Sequence, residues 1–134
     1  MAETAAKILV AGGLTNLVFG LITGALMVRV RTAAPDAPKY LTASHMGALM
    51  WAPILLGLVW AVHYSHLTPW VETLASGLLV GASVAVYARD LLYWVQGVKD
   101  EFTERPPTFV LGPISAAATA GGTAIFLIGV VQAL

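Results

Sequence analysis

Four stretches of this chain are each long and apolar enough to cross a bilayer, and that restricts its fold more than any other feature. A helix needs about 20 predominantly apolar residues to cover roughly 30 Å of hydrocarbon. In that medium only structures that satisfy their own backbone N–H and C=O groups are stable. The expected spans are about 8–28, 41–62, 70–97 and 109–134. Within the first, only Thr15, Asn16 and Thr23 are polar, and Arg29 and Arg31 mark its interface. Residues 33–39 hold two prolines and two charges, which suits a water-exposed connection. Pro53 inside the second span predicts a kink. Residues 63–69 form the next turn, and residues 99–107, with five charges and two prolines, form a second exposed loop. The expected fold is an all-α integral membrane four-helix bundle, one domain over residues 1–134.

Composition agrees. Hydrophobic residues make up 58% of the chain and charged ones 10%, against about 25% charge in soluble domains, so lipid is the expected solvent. Seven Lys and Arg balance seven Asp and Glu, so there is no basic field to attract nucleic acid. The absence of cysteine removes thiolate nucleophiles and Cys-ligated metals. No phosphate loop, Ser-His-Asp order or zinc motif is present, so soluble-enzyme chemistry has no support. The first run follows Glu3 and Lys7 and lacks a small-residue cleavage site, so it is expected to be a retained span. Arg29, Arg31, Lys39, Lys99 and Arg105 fall on one side and Lys7 on the other, which predicts extracytoplasmic termini. Small residues at Gly20 and Gly24, and from Ala116 to Gly122, offer faces for close helix approach and for a homo-oligomer.

Ionisable groups within a span carry an insertion cost of roughly 2.5 to 3.5 kcal/mol and therefore draw functional attention. His45 lies one turn into the second span, and Arg89, Asp90 and Tyr93 lie in the last turns of the third, at a similar depth, so one pocket can hold all four. Arg89 and Asp90 diverge by about 100° and are expected to have different partners, whereas Arg89 and Tyr93 share a face. The plainer alternatives are Arg89 snorkelling, Asp90 capping, Tyr93 and Trp94 in an aromatic belt, and His45 bonding a carbonyl. Gly47 beside His45 leaves room for a flat hydrophobic cofactor, and a neutral imidazole is a usual axial haem ligand. His63 and His66 are spaced for shared metal ligation, but no carboxylate or cysteine nearby completes a site.

On size, helix count, His45-Met46-Gly47 opening the second span, an aromatic-rich third span and Leu111-Gly112-Pro113 opening the fourth, the chain resembles the styrene oxide isomerase and hydroxylaminobenzene mutase family of small bacterial membrane enzymes. The resemblance implies a trimer in an inner membrane, with haem b between subunits and His45 on the iron; Gly47 and Trp51 are the neighbouring candidates for the cofactor pocket. The resemblance also implies that Tyr93 lies near the substrate; Arg89 and Asp90, ionisable and at the same depth, are the other candidate catalytic residues. Trp51 stands where the family has an asparagine, and Arg89 falls at a second family asparagine, so the family's substrate specificity does not transfer. Two functions are expected from different classes. One is a haem-dependent isomerase of a small lipophilic epoxide or arylhydroxylamine, with ferric iron as Lewis acid. The other is a non-enzymatic small membrane subunit that packs with, or carries haem for, a partner. A transporter using Arg89 and Asp90 ranks behind both, since four spans without an inverted repeat give little for alternating access.

The Lys and Arg asymmetry gives a first testable outcome. A phosphatase reporter fused after Leu134 should be active and a cytoplasmic fluorescent reporter silent; the opposite pattern overturns the orientation and leaves the span count standing.

Overall fold

The computed structural model describes residues 2–134. Among them the regular structure is helical throughout: α1 (Ala2–Ala33), α2 (Lys39–Tyr64), α3 (Pro69–Val95), a one-turn α4 (Glu101–Glu104), a 3₁₀ turn (Pro107–Val110) and α5 (Leu111–Val131). Four units, Glu3–Ala33, Lys39–Tyr64, Pro69–Val95 and Pro107–Val131, are long and apolar enough to cross a membrane.

Local chemistry sets the helix ends. α1 runs past Arg29 and Arg31 and stops at Ala33, two residues before Pro35, because the residue preceding a proline disfavours the helical region. Pro38 is the extended residue from which α2 starts, and Pro69 opens α3 at a position where its missing N–H is harmless. α2 continues through Pro53. α3 closes on Gly97, whose φ of 69° is open to glycine without strain. There Gly97 N–H donates to Trp94 O at 3.1 Å and Val98 N–H to Tyr93 O at 3.0 Å, the paired bonds of a Schellman cap. Val98 packs on Tyr93 and Tyr40, so the cap also fixes the aromatic ring. The expected exposed loop holds α4, with the Asp100 carboxylate accepting from Phe102 N–H at its start.

α3 is the hub. It packs extensively on α5 and also on α1 and α2, while α2 and α5 barely meet and α1 lies most closely on α2. Its inward stripe of Ala75, Ser76, Leu79, Ala82, Ser83, Tyr87, Asp90 and Tyr93 is small or polar for much of its length. In lipid no hydrophobic force draws two helices together, so close packing and interhelical hydrogen bonds must hold them. Both are present. Asn16 Nδ2 donates to Ser83 Oγ at 2.9 Å, tying α1 to α3, and Ser115 Oγ donates to Ala82 O at 3.0 Å, tying α5 to α3. Near the other end Ala5, Leu9, Leu55, Val62, Ala75, Leu79 and Phe126 form a buried cluster, with Trp51 packed against it.

Several glycines are contact points. A Cβ at Gly13 would lie 2.7 Å from Leu56 Cγ and 3.2 Å from the Ala52 carbonyl. One at Gly122 would lie 2.7 Å from Leu79 Cγ and 3.0 Å from the Ala75 carbonyl, so neither neighbour can simply move aside. Gly20 and Gly24 also face α2 within the chain, against Leu49 and His45. The first-span face expected to meet another copy is therefore used internally. Gly77 and Gly81 on α3 meet nothing within 4 Å. Gly13→Ala and Gly122→Ala should each lower thermal stability in mild detergent by about 1–3 kcal/mol. Gly77→Ala and Gly81→Ala should change it by no more than about 0.5 kcal/mol. Equal losses at all four positions would show that these contacts do not set the helix spacing.

Candidate functional site

His45 lines one cavity and Arg89 and Tyr93 line another, both at the same end of the bundle. The first lies between α1 and α2. His45 is half-buried there, and its Nδ1 is 2.8 Å from the Gly20 carbonyl oxygen. A carbonyl can only accept, so this contact places a proton on Nδ1, and Nε2 is the nitrogen that the neutral ring has for a ligand. The ring lies against Gly24, where a Cβ would come within 3.0 Å of Cε1. Gly24, Met27, Val28, Arg31, Thr32 and His45 line a cavity of about 520 Å³. A ring whose second nitrogen is anchored to a backbone carbonyl is the usual arrangement of a metal-ligating histidine. The residues therefore fit an axial haem ligand: an oriented nitrogen, a glycine that leaves room beside it, and an apolar wall of Met27 and Val28.

Gly47 and Trp51 do not line this cavity, contrary to the sequence expectation. They lie about 200° and 240° around α2 from His45 at 100° per residue, and Trp51 packs on the buried cluster instead. A Cβ at Gly47 meets nothing within 4 Å, so its open space is on another face. Gly20 and Gly24 on α1, noted in the sequence only as a packing face, supply the histidine's carbonyl and clearance.

The second cavity, about 220 Å³, is lined by Arg89 and Tyr93 of α3 together with Glu101, Phe102, Phe109, Gly112, Pro113 and Ala116. Arg89 and Asp90 pair with each other, correcting the expectation of separate partners. Nη2 and Nε of Arg89 lie 2.7 and 2.9 Å from Asp90 Oδ1. The Cα–Cβ directions diverge, but the long arginine side chain folds back to the nearest countercharge, because Asp90 is only 4% exposed. The guanidinium carbon also lies 5.8 Å from the Tyr93 ring centroid, as their shared face implied. Gly112 admits the arginine: a Cβ there would come within 3.0 Å of Nη1.

Tyr93 is 1% exposed and so does not belong to an aromatic belt. Its ring meets Tyr40 edge-on at 5.1 Å, and its hydroxyl has no hydrogen-bond partner among the described residues. An unpaired buried hydroxyl is uncommon and chemically available. The two cavities share no lining residue, so a single chain does not gather His45, Arg89 and Tyr93 into one pocket.

Sequence reasoning passed over two inward polar residues. Glu72, 2% exposed, lies in the first turn of α3, where the helix dipole favours a carboxylate; an acid just after Pro69 was the available signal. Asn16, seen only as an interruption, is fully buried and bonds across to Ser83. His63 lies in the last turn of α2 and His66 beyond its end, both exposed beside Val130 and Leu134. No group of three or more metal-binding side chains occurs among the described residues. No known family model, curated protein or solved structure matches the chain.

α4 closes the floor of the second cavity through an ionic latch. The Tyr40 hydroxyl donates to the Glu101 carboxylate, Glu101 N–H donates back to the Tyr40 oxygen at 3.2 Å, and Lys39 Nζ lies 3.5 Å from Glu101. The Tyr40 hydrogen bond is the main cause, with Lys39 assisting, that holds the Glu101 carboxyl below its ordinary range. A depressed carboxyl stabilises the fold fully above its unfolded value, and that contribution disappears as pH falls through the folded one. Asp100 is depressed too, chiefly by the Thr103 hydroxyl, and acts in the same window. The protein should therefore lose stability on acidification through the carboxylate range, and Tyr40→Phe should lose less over the same interval. Parallel pH profiles of thermal midpoints would show that the latch contributes nothing.

Proposed function

We propose that this protein is a multi-pass membrane protein that binds haem on His45 and rearranges a small lipophilic epoxide or arylhydroxylamine. The observation that carries the haem assignment is the His45 Nδ1 contact with Gly20 O at 2.8 Å beside a cavity of about 520 Å³. The reaction class rests on the family resemblance in His45-Met46-Gly47 and Leu111-Gly112-Pro113. The proposed setting is a bacterial inner membrane with extracytoplasmic termini, as the Lys and Arg asymmetry implies.

Ferric haem bound there supplies a Lewis acid for an epoxide or N-hydroxyl oxygen. Gly20 holds the imidazole in one tautomer, and Gly24 keeps the space beside the ring clear. In the second cavity Asp90 offsets the Arg89 charge and holds the guanidinium near the Tyr93 ring. Tyr93 then offers its hydroxyl, unpaired among the described residues, as a proton donor to a substrate oxygen. The walls of the first cavity come from α1 and α2 alone, and those of the second from α3, α4 and the α5 end. We propose a homo-oligomer, a trimer by the resemblance, in which a neighbouring copy covers the open side of the first cavity and brings its own second cavity near. The separation of the two cavities within one chain favours a second reading, a haem-carrying subunit without catalysis.

Two variants separate these readings. His45→Ala should lose or strongly shift the Soret band of purified protein reconstituted with ferric protoporphyrin. Tyr93→Phe should keep the band and slow turnover of a small aromatic epoxide or arylhydroxylamine by the equivalent of about 1–3 kcal/mol. An unchanged band in His45→Ala removes the haem assignment. A normal band with no turnover by the wild-type protein leaves the carrier.

A further inference from the structure

The wall of the His45 cavity is graded in polarity along α1. Gly24, Met27, Val28 and Arg31 follow one another at i, i+3, i+4 and i+7, so they form one stripe of the helix, and all four line the cavity. Gly24 meets the imidazole, and Met27 and Val28 continue the wall as apolar surface. Arg31 ends it seven residues on, about 10.5 Å along the axis toward the end of α1. Thr32 adds little polarity, since its hydroxyl donates to the Arg29 carbonyl at 2.6 Å.

Arg31 makes no ion pair among the described residues, whereas Arg89, Lys39 and Lys7 each have an acidic partner. The cavity therefore offers a nitrogen lone pair at its deep end, an apolar wall in the middle and an uncompensated guanidinium at its interfacial end. That order matches a flat amphiphile whose anionic groups lie along one edge. A carboxylate pair suits a guanidinium better than any neutral group, because the planar fork donates two parallel hydrogen bonds.

Resting on the haem assignment above, we propose that Arg31 binds the carboxylate edge of the ligand seated on His45, so that the cavity selects a planar amphiphile with its acidic side toward the interface. Arg31 would then be a positioning residue that orients the ligand held by His45 without touching the reacting atoms. An empty interfacial arginine also attracts lipid phosphate, and the two anion sources are distinguished by the ligand's own carboxylates.

The test is a titration of full-length apoprotein, in neutral detergent without added phospholipid, with ferric protoporphyrin IX and with its dimethyl ester. Binding is read from the Soret shift, with His45→Ala as the baseline. The wild-type protein should bind the diacid at least about tenfold more tightly than the diester. Arg31→Gln should lower diacid affinity by about that factor and leave diester affinity unchanged, which also shows that the variant is folded. A diacid preference that survives in Arg31→Gln, or equal affinities in the wild type, overturns the Arg31 role while the haem assignment stands. A diacid preference that the wild type shows in neutral detergent but loses when phosphatidylglycerol is added assigns Arg31 to lipid phosphate and likewise overturns it. Absence of any His45-dependent Soret shift with either probe overturns both proposals.

Discussion

The close approach of α1 to α2, and of α3 to α5, is the constraint on which the remaining geometry depends. In water a bundle is pressed together by hydrophobic exclusion; among lipid tails that force is missing, and two helices stay together only where their atoms can touch. Gly13 lets the Ala52 carbonyl come near, and Gly122 does the same for the Ala75 carbonyl. Once α1 lies that close to α2, His45 has little freedom. Its ring is set between the Gly20 carbonyl and the bare Cα of Gly24, and a bulkier residue at Gly24 would occupy the ring's own position. The candidate ligand is thus oriented by helix spacing as much as by its own hydrogen bond.

The four spans were legible because crossing hydrocarbon is a requirement on length and composition, and both can be read without knowing which face is inward. The helix ends departed from the expected ones where those criteria stop applying. α1 continues through Arg29 and Arg31 because charged residues are good helix formers in the interface, and Pro35 stops it. Azimuth was harder to read. Gly47 and Trp51 are near His45 in sequence, but turns of about 200° and 240° carry them to other faces. The Gly20 carbonyl is 25 residues away, and no local pattern announces it. Backbone partners carry no side-chain signal, so a histidine read as a bland carbonyl contact and one read as a ligand are the same histidine here. The carbonyl bond is what prepares the other nitrogen.

The Arg89–Asp90 pair shows a second limit of positional reasoning. Divergence of about 100° between neighbouring residues describes Cα–Cβ directions, and it predicts contacts well for short side chains. Arginine is long enough to cancel it. With Asp90 almost wholly removed from solvent, an unpaired carboxylate in so apolar a setting would cost several kcal/mol, and the nearest cation is one residue away. The pairing has a further consequence. A guanidinium already held by Asp90 is a poor candidate for carrying a charge across the bundle, which weakens the transporter alternative and leaves Arg89 as a fixed wall beside Tyr93.

The separation of the two cavities has an energetic side that bears on assembly. A cavity walled by only two helices leaves one side of any flat ligand against lipid, and lipid supplies neither hydrogen bonds nor a fixed shape. Tyr93, by contrast, lies behind Tyr40, the Val98 cap and the α4 latch, all in the same chain. One chain therefore contains an aromatic pocket backed by its own elements and a groove walled by two helices only. In the proposed homo-oligomer, joining copies would complete the groove without disturbing the pocket, because the groove lies on α1 and α2 while the pocket is built on α3, α4 and the start of α5. Helix spacing within the chain and ligand burial between chains are then separate requirements. Small residues at Gly13 and Gly122 satisfy the first, and in the proposed homo-oligomer the outward side chains of another helix pair would satisfy the second.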